Sequence, residues 1–451
     1  MSKYIYSIKN YHAIKQADIV IDGITVLSGE NGCGKSTMSR WLYYMINGSA
    51  DFEKILFQEY VTYIQELVGR WEVVYRDIQR TNTGTFFKSS QSGFNKIGTS
   101  QFEHLLMLEK FNTDDIQRTQ NIFLQTLFAF ADQLYVYIDE ENREIRKNRV
   151  LNFLEINLKE YPTLRDNINA FVKKYERLVE RKTQSLFSCI RNRSITDFVR
   201  IVNHKFDETD NFPSELQLCE DGLELLDNGC LATIYNLHKA IYIDTPMSIT
   251  SKGYDNYFWN ELRDIIMSPS SRYIYADTKY LIKRVKNLLG GEAKLVENEV
   301  FEDLKEIRYV SDDNEIDIEL YKVATGIKTF IYLQRLLQNG CLTDSTLLLI
   351  DEPEAHLHPQ WIVEYARLLV LINKKLGTKI MLASHNPDMV AAIRAIAEKE
   401  KVLDKTNFYL AKRFDGCHQY IYKNLGNEIG EIFRSFNIAL DRIKQYGNDS
   451  I

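Results

Sequence analysis

"ITVLSGENGCGKSTMSRWLYYM", Ile24 to Met45, decides how the rest of this chain is read. Gly29-Glu30-Asn31-Gly32-Cys33-Gly34-Lys35-Ser36 fits the P-loop pattern GxxxxGK[ST] without a gap, and Thr37 adds a second hydroxyl. Glycines in such a loop let successive backbone N–H groups turn inward around phosphate oxygens, and the helix that follows presents the positive end of its dipole. Lys35 then reaches the β- and γ-phosphates of a nucleoside triphosphate, and the Ser36 hydroxyl ligates Mg2+. The flanks agree: "ITVLSG" reads as a buried strand and "STMSRWLYYMI" has the apolar spacing of a helix.

A P-loop needs an acidic partner to hold Mg2+ and position water. The best match lies more than three hundred residues downstream, in "STLLLIDEPEAHLHP", an apolar strand ending in Asp351-Glu352. Asp351 fits a Walker B carboxylate acting on Mg2+, and Glu352, the next residue, is placed to polarise the attacking water. "KIMLAS" is a further strand, ending at Ser384-His385. His356 and His358 stand two apart with no third ligand cluster nearby, and are not read as a metal pair.

The bulk numbers set limits. With 451 residues the chain is too long for one compact core. Its 45% hydrophobic and 26% charged residues describe a globular protein. A net charge of −6 excludes a surface that is basic all over. The six cysteines (Cys33, Cys189, Cys219, Cys230, Cys341, Cys417) form no CxxC pair, which argues against a zinc site or a disulfide framework. No apolar run reaches membrane-spanning length and "MSKYIYSIKNYHAIK" lacks a signal-peptide core, so a cytoplasmic protein without a membrane partner is expected.

The long separation of P-loop and acidic strand, together with these motifs, resembles the ABC-type ATPases of the OLD/RecF/SMC-like group, of the kind found as AAA-type ATPases of bacterial anti-phage defence operons. The resemblance covers residues 1–50 and 320–400 well and the middle loosely. It implies an α/β fold: a P-loop NTPase of ABC type, with a mixed central sheet and an antiparallel β subdomain, carrying an inserted helical lobe. It implies ATP and Mg2+ as cofactors. "LASHNPDMV" then carries the switch histidine His385, which senses the γ-phosphate, and "EPEAHLHPQW" is the D-loop segment along a dimer interface. "KVATGIKTFIYLQRLLQNG" occupies the place of the signature helix, where Thr325 and Gly326 keep one hydroxyl and one glycine of the transporter form LSGGQ. Lys328 either adds charge there or is an ordinary surface lysine. No Q-loop glutamine is assigned; Gln58 and Gln91 are the candidates.

Three segments are expected: 1–100, the first half of the ATPase domain with its antiparallel subdomain; 101–239, an inserted helical domain; and 240–451, the second half. "KYIYSIKNYHAIKQADIVID" reads as a hairpin, with Asn10-Tyr11 matching a recurrent Asn-Phe of the family, and "GRWEVVYRDIQRTNTGTFFKSS" as another, turning at Asn82-Thr83-Gly84. In the helical region "ENREIRKNRVLNFLEINLKEY" and "NAFVKKYERLVERKTQSLFSCIRNR" carry many basic residues, but the interleaved glutamates favour a solvated, salt-bridged face over a nucleic-acid track.

The function expected is an ATPase that dimerises head to tail around ATP, as a homodimer or a higher even-numbered homo-oligomer. Lys35, Glu352 and His385 would act in one chain, with Thr325-Gly326 supplied by the other. OLD nucleases carry a large Toprim domain after the ATPase, whereas 66 residues follow His385 here, so a separate effector, a nuclease or toxin, is expected as partner. Two alternatives stay open: an ATP-binding scaffold with little turnover, and a RecF/SMC-like DNA repair or maintenance ATPase that touches nucleic acid.

Overall fold

The computed structural model describes residues 2–80, 100–108, 111–139, 163–206, 208, 210–244, 257–297, 305–414 and 416–434. The chain forms two units, Met1–Ala50 with Ile195–Ile451, and Asp51–Ser194.

The first unit opens with β1 (Tyr4–Tyr11), β2 (Ile14–Ile21), β3 (Ile24–Ser28) and α1 (Lys35–Ala50). The second unit holds α2 (Phe52–Arg80), α3 (Ser100–Leu106), α4 (Thr113–Asp139) and α5 (Leu164–Asn192). The first unit resumes with α6 (Ile195–Lys205), then β4 (Glu215–Glu220), β5 (Leu223–Glu224), β6 (Leu226–Asp227), β7 (Cys230–Leu231) and β8 (Lys239–Ile243). Next come α7 (Tyr257–Met267), α8 (Ala276–Leu289), β9 (Gly291–Glu297), β10 (Lys305–Ser311), β11 (Asp317–Glu319) and α9 (Thr325–Gln338). The last stretch is β12 (Thr346–Asp351), α10 (Pro359–Leu376), β13 (Lys379–Ser384), α11 (Pro387–Lys399), β14 (Thr406–Arg413) and β15 (Tyr420–Gly426).

Ten strands make one sheet in the order β5-β4-β1-β2-β15-β14-β3-β13-β12-β8. From β14 to β8 all pairings are parallel, whereas β5, β4, β1 and β2 pair antiparallel, as do β14 and β15. The sheet is therefore mixed, with an antiparallel part at one end, and the expected class holds. Every residue of β12 and β13 is buried, as a parallel strand covered on both faces requires. Leu348 and Ile350 of β12 share one apolar cluster with α9, α10 and α11, while α1 packs on β8, β12 and β13.

Two local expectations are overturned. Gly69–Arg80 is not a strand but the last three turns of α2. Ile64, Val68 and Trp71, at i, i+4 and i+7, are buried, and Trp71 lies against Phe123, Phe130, Phe171 and Tyr175. Packing thus overrides the local β preference of Val73-Val74-Tyr75. The turn Asn82-Thr83-Gly84 lies outside the described residues. Second, 215–231 is not helical: "ELQLCE" alternates exposed and buried, pairs with β1, and turns at Asp221-Gly222, both with positive φ (48° and 88°).

The division of the chain accordingly differs from the expected 101 and 239. The helical unit begins at 51, one residue before α2, and ends at 194, because β4 and β8 belong to the large sheet.

In the second unit α5 is capped by the Thr163 side chain, which accepts from the Asp166 N–H. Its Lys173, Lys174, Arg177, Arg181 and Lys182 are exposed alongside Glu180. The other basic stretch, 141–161, lies outside the described residues.

Candidate functional site

Three adjacent parallel strands end side by side. Ser28 of β3 pairs with Ser384 of β13, and Ala383 with Asp351 of β12. The loop after Ser28, His385 and Glu352 therefore leave the sheet at the same carboxyl edge, the usual ligand side of an open α/β sheet.

The loop itself is shaped by Gly32 and Gly34, with φ of 79° and 96°. A Cβ at Gly34 would stand 2.7 Å from Ile14, so both conformation and space demand glycine. The Lys35 ammonium is buried and donates to the carbonyls of Gly29 and Glu30, both at 2.9 Å, and to Cys33 Sγ at 3.7 Å. The Tyr422 hydroxyl on β15 donates to the Cys33 carbonyl at 3.1 Å and so ties the loop to the sheet. A cavity of about 460 Å³ opens beside Gly29 and Glu30, bordered by Lys412, Arg413 and Arg434.

Asp351 is 2% exposed. Ser39 of α1 donates to its Oδ1 at 2.9 Å, and Tyr242 of β8 donates to its Oδ2 at 2.9 Å. Burial pushes the Asp351 carboxyl up from its usual value, while bonds from the Ser36, Tyr242 and Ser39 hydroxyls pull the other way and Asp244 pushes up again. Carboxylate and hydroxyl oxygens beside a phosphate loop form a hard donor set of the kind Mg2+ prefers, so the residues present fit that ion.

Glu352 has φ 47°, unusual for a side chain of this size, and its N–H donates to the Ala383 carbonyl at 2.8 Å. Its carboxylate is 38% exposed and lies 3.7 Å from His385 Nδ1. Inside the same turn Glu354 is 4% exposed and lies 3.5 Å from that nitrogen. Its Oε1 accepts from the Ser384 hydroxyl at 2.9 Å and the His385 N–H at 3.0 Å. Burial holds the Glu354 carboxyl above its usual range, opposed by backbone and Ser384 hydrogen bonds.

Among the described residues no hydrogen bond or ion pair joins Thr325, Gly326 or Lys328 to the loop. They lie at the start of α9, whose N-cap, Ala324, offers no side-chain bond. A Cβ on Gly326 would stand 2.9 Å from the His356 carbonyl, so this helix start rests on the 353–358 turn. Lys328 is not a surface lysine: it is 7% exposed, donates to the Tyr321 carbonyl at 3.0 Å, and burial lowers its pKa. Gln58 donates to the Leu106 carbonyl within the helical unit, and Gln91 lies outside the described residues.

Sequence reasoning missed Ser39, Tyr242 and Glu354. Only Glu354 had a local signal, a third acid directly after Asp351-Glu352-Pro353. Ser39 and Tyr242 reach Asp351 only through the strand order.

The family model described as AAA ATPase domain matches residues 6–390. No curated protein matches the chain. Among solved structures, an SmcHead bound to the C-winged helix domain of ScpA is similar at 11% identity and a TM-score of 0.37, covering 95% of this chain and 98% of that one. The Pyrococcus furiosus Smc head domain with an extended coiled coil, bound to the C-terminal domain of ScpA, gives 12% and 0.35, with 98% and 100% covered. CbiO1 from Clostridium perfringens, part of an ABC transporter complex, gives 14% and 0.27, with 55% and 82% covered. No described helix is long and apolar enough to cross a membrane.

Proposed function

The chain belongs to the AAA ATPase domain family, and from that premise we propose that two copies close head to tail around ATP, hydrolyse it, and use the cycle to hold or release a separate effector protein. The observation that carries the reading is the 2.9 Å bond from Ser39 to Asp351. It brings the phosphate-loop helix to an acid 312 residues away.

Gly29 to Thr37 cradle the phosphates, and Lys35 exchanges its loop carbonyls for the β- and γ-phosphate oxygens. Ser36 and Asp351 are the residues that would hold Mg2+, which when bound neutralises phosphate charge. Glu352, the more exposed of the two turn carboxylates, takes a proton from the attacking water. His385 donates to the terminal phosphate. Thr325 and Gly326 of a second copy offer uncapped N–H groups at the start of α9 to the same phosphate, with Lys328 bracing the approach from Tyr321. The resemblance to ATPases of anti-phage operons supports a role as the sensor and ATPase component of such a system, with a nuclease or toxin as effector.

Glu352→Gln tests this. ATP binding is expected to persist, turnover to fall roughly 10²–10⁴-fold, and light scattering to show an ATP-dependent shift to an even-numbered assembly. Purified protein that binds no ATP, or a Glu352→Gln variant with wild-type turnover, overturns the reading. Binding and assembly without turnover in the wild type would convert it to a nucleotide-gated scaffold. ATP-dependent, salt-sensitive DNA binding would favour a repair role.

A further inference from the structure

We propose that Glu354 is a positioning residue for His385: its buried carboxylate fixes the Ser384–His385 peptide and aims the imidazole, so that the ring meets the terminal phosphate in one orientation. The inference rests on the reading of His385 as the phosphate-sensing residue.

His385 occupies a short joint. The β13 pairing with β3 ends at Ser384, and α11 starts at Pro387. On the far side the joint is pinned by Asn386, whose side chain accepts from the N–H groups of Asp388 and Met389. On the near side the strand ladder no longer holds it. Glu354 supplies the missing anchor, accepting from both the Ser384 hydroxyl and the His385 N–H with one oxygen.

Two carboxylates converge on the ring and divide the work by exposure. Glu352 is open to solvent and can reach a water, whereas Glu354, at 4% exposure, cannot, and acts only through its neighbours. Glu354 Oε2 and His385 Nδ1 are buried atoms without a hydrogen-bond partner among the described residues. A buried carboxylate oxygen left without a donor is costly. Nδ1 stands 3.5 Å from Oε1, a short ring movement from a bond, and such bonds commonly tighten only when substrate is present. With Nδ1 turned to the carboxylates, Nε2, on the other side of the ring, is the nitrogen offered to a phosphate oxygen.

The test compares Glu354→Ala, Glu354→Gln, His385→Ala and the double variant Glu354→Ala/His385→Ala, reading kcat and KM for ATP and the rate at which diethyl pyrocarbonate labels His385. Glu354→Ala is expected to lower kcat roughly 10–100-fold with KM within about 2-fold, the signature of a lost transition-state contact. Glu354→Gln keeps the accepting oxygen and should stay within about 3-fold of wild type. The double variant should be no slower than His385→Ala, because both changes remove one function. Labelling should quicken several-fold in Glu354→Ala and not in Glu354→Gln. Wild-type kcat and labelling in Glu354→Ala, or losses that multiply with those of His385→Ala, overturn the proposal. If the wild type turns over no ATP while Glu354→Ala still speeds labelling, the ATPase reading fails and the positioning stands.

Discussion

Asp351 shows how much of a site is decided by groups that touch only its central residue. Burial pushes this carboxyl up from its usual value, and three hydroxyls pull it back toward the charged form. Tyr242→Phe removes one of them, so the Asp351 pKa must rise further. The Mg2+ concentration for half-maximal turnover should increase roughly 10-fold, and the acidic limb of the pH–rate profile should move to higher pH. Wild-type Mg2+ dependence in that variant would show the Tyr242 bond to be idle. A second acid, Glu261 on α7, is pushed up to about 7 by burial, with Asp264 adding repulsion. A carboxyl whose folded pKa exceeds its unfolded value stabilises below the unfolded value, and that contribution fades as pH climbs through about 7. Glu261→Gln should thus raise Tm at pH 8 by about 2–4 °C and change little at pH 5. Lys35 and Asp351 were legible because their motifs are contiguous in sequence. Tyr242 was not, since nothing in "AIYID" says that its strand will lie beside β12.

At the scale of elements, the start of α9 and the 353–358 turn form one unit of packing. Gly326→Ala would drive a Cβ into the His356 carbonyl, which as backbone cannot swing aside. A loss of about 1–3 kcal/mol is expected by denaturant titration, and an unchanged midpoint would mean that the contact gives way freely. Some elements carry strong punctuation in the sequence. α10 starts at Pro359 and stops at Gly377 with φ 72°, and α11 starts at Pro387 after the Asn386 cap. The helix over Gly69–Arg80 was not readable, because Trp71 finds its aromatic partners on helices far along the chain. β4 was missed for a different reason: its Asp221-Gly222 turn was in plain view but lay inside a stretch whose overall composition looks helical.

At the scale of the molecule, the helical unit is an insertion whose two attachment points belong to neighbouring elements of the first unit. α1 ends at Ala50, α6 begins at Ile195, and a Cβ on Gly48 would stand 2.6 Å from the Phe198 ring. Replacing residues 51–194 with a short Gly/Ser linker should therefore leave the first unit folded, with a cooperative thermal transition and retained binding of labelled ATP. A non-cooperative melt would show that the first unit depends on the insertion. That an insertion exists was legible from the distance between Lys35 and Asp351. Its limits were not, because they depend on which strands join the large sheet.

The same strand order sets a timetable for biosynthesis. Among the described residues β3 lies between β13 and β14 in the sheet, and the 350 residues from 29 to 378 separate it from the first of them. At the usual pace of about 5–20 residues per second, a ribosome needs roughly 20–70 s to deliver that partner. Throughout that interval the nascent phosphate-loop strand is apolar and unpaired on both edges, and the whole helical segment, residues 51–194, is made before either partner strand. Such a chain is a natural client for a holdase, and slowing translation between β3 and β13 should lower its soluble yield more than slowing it afterwards.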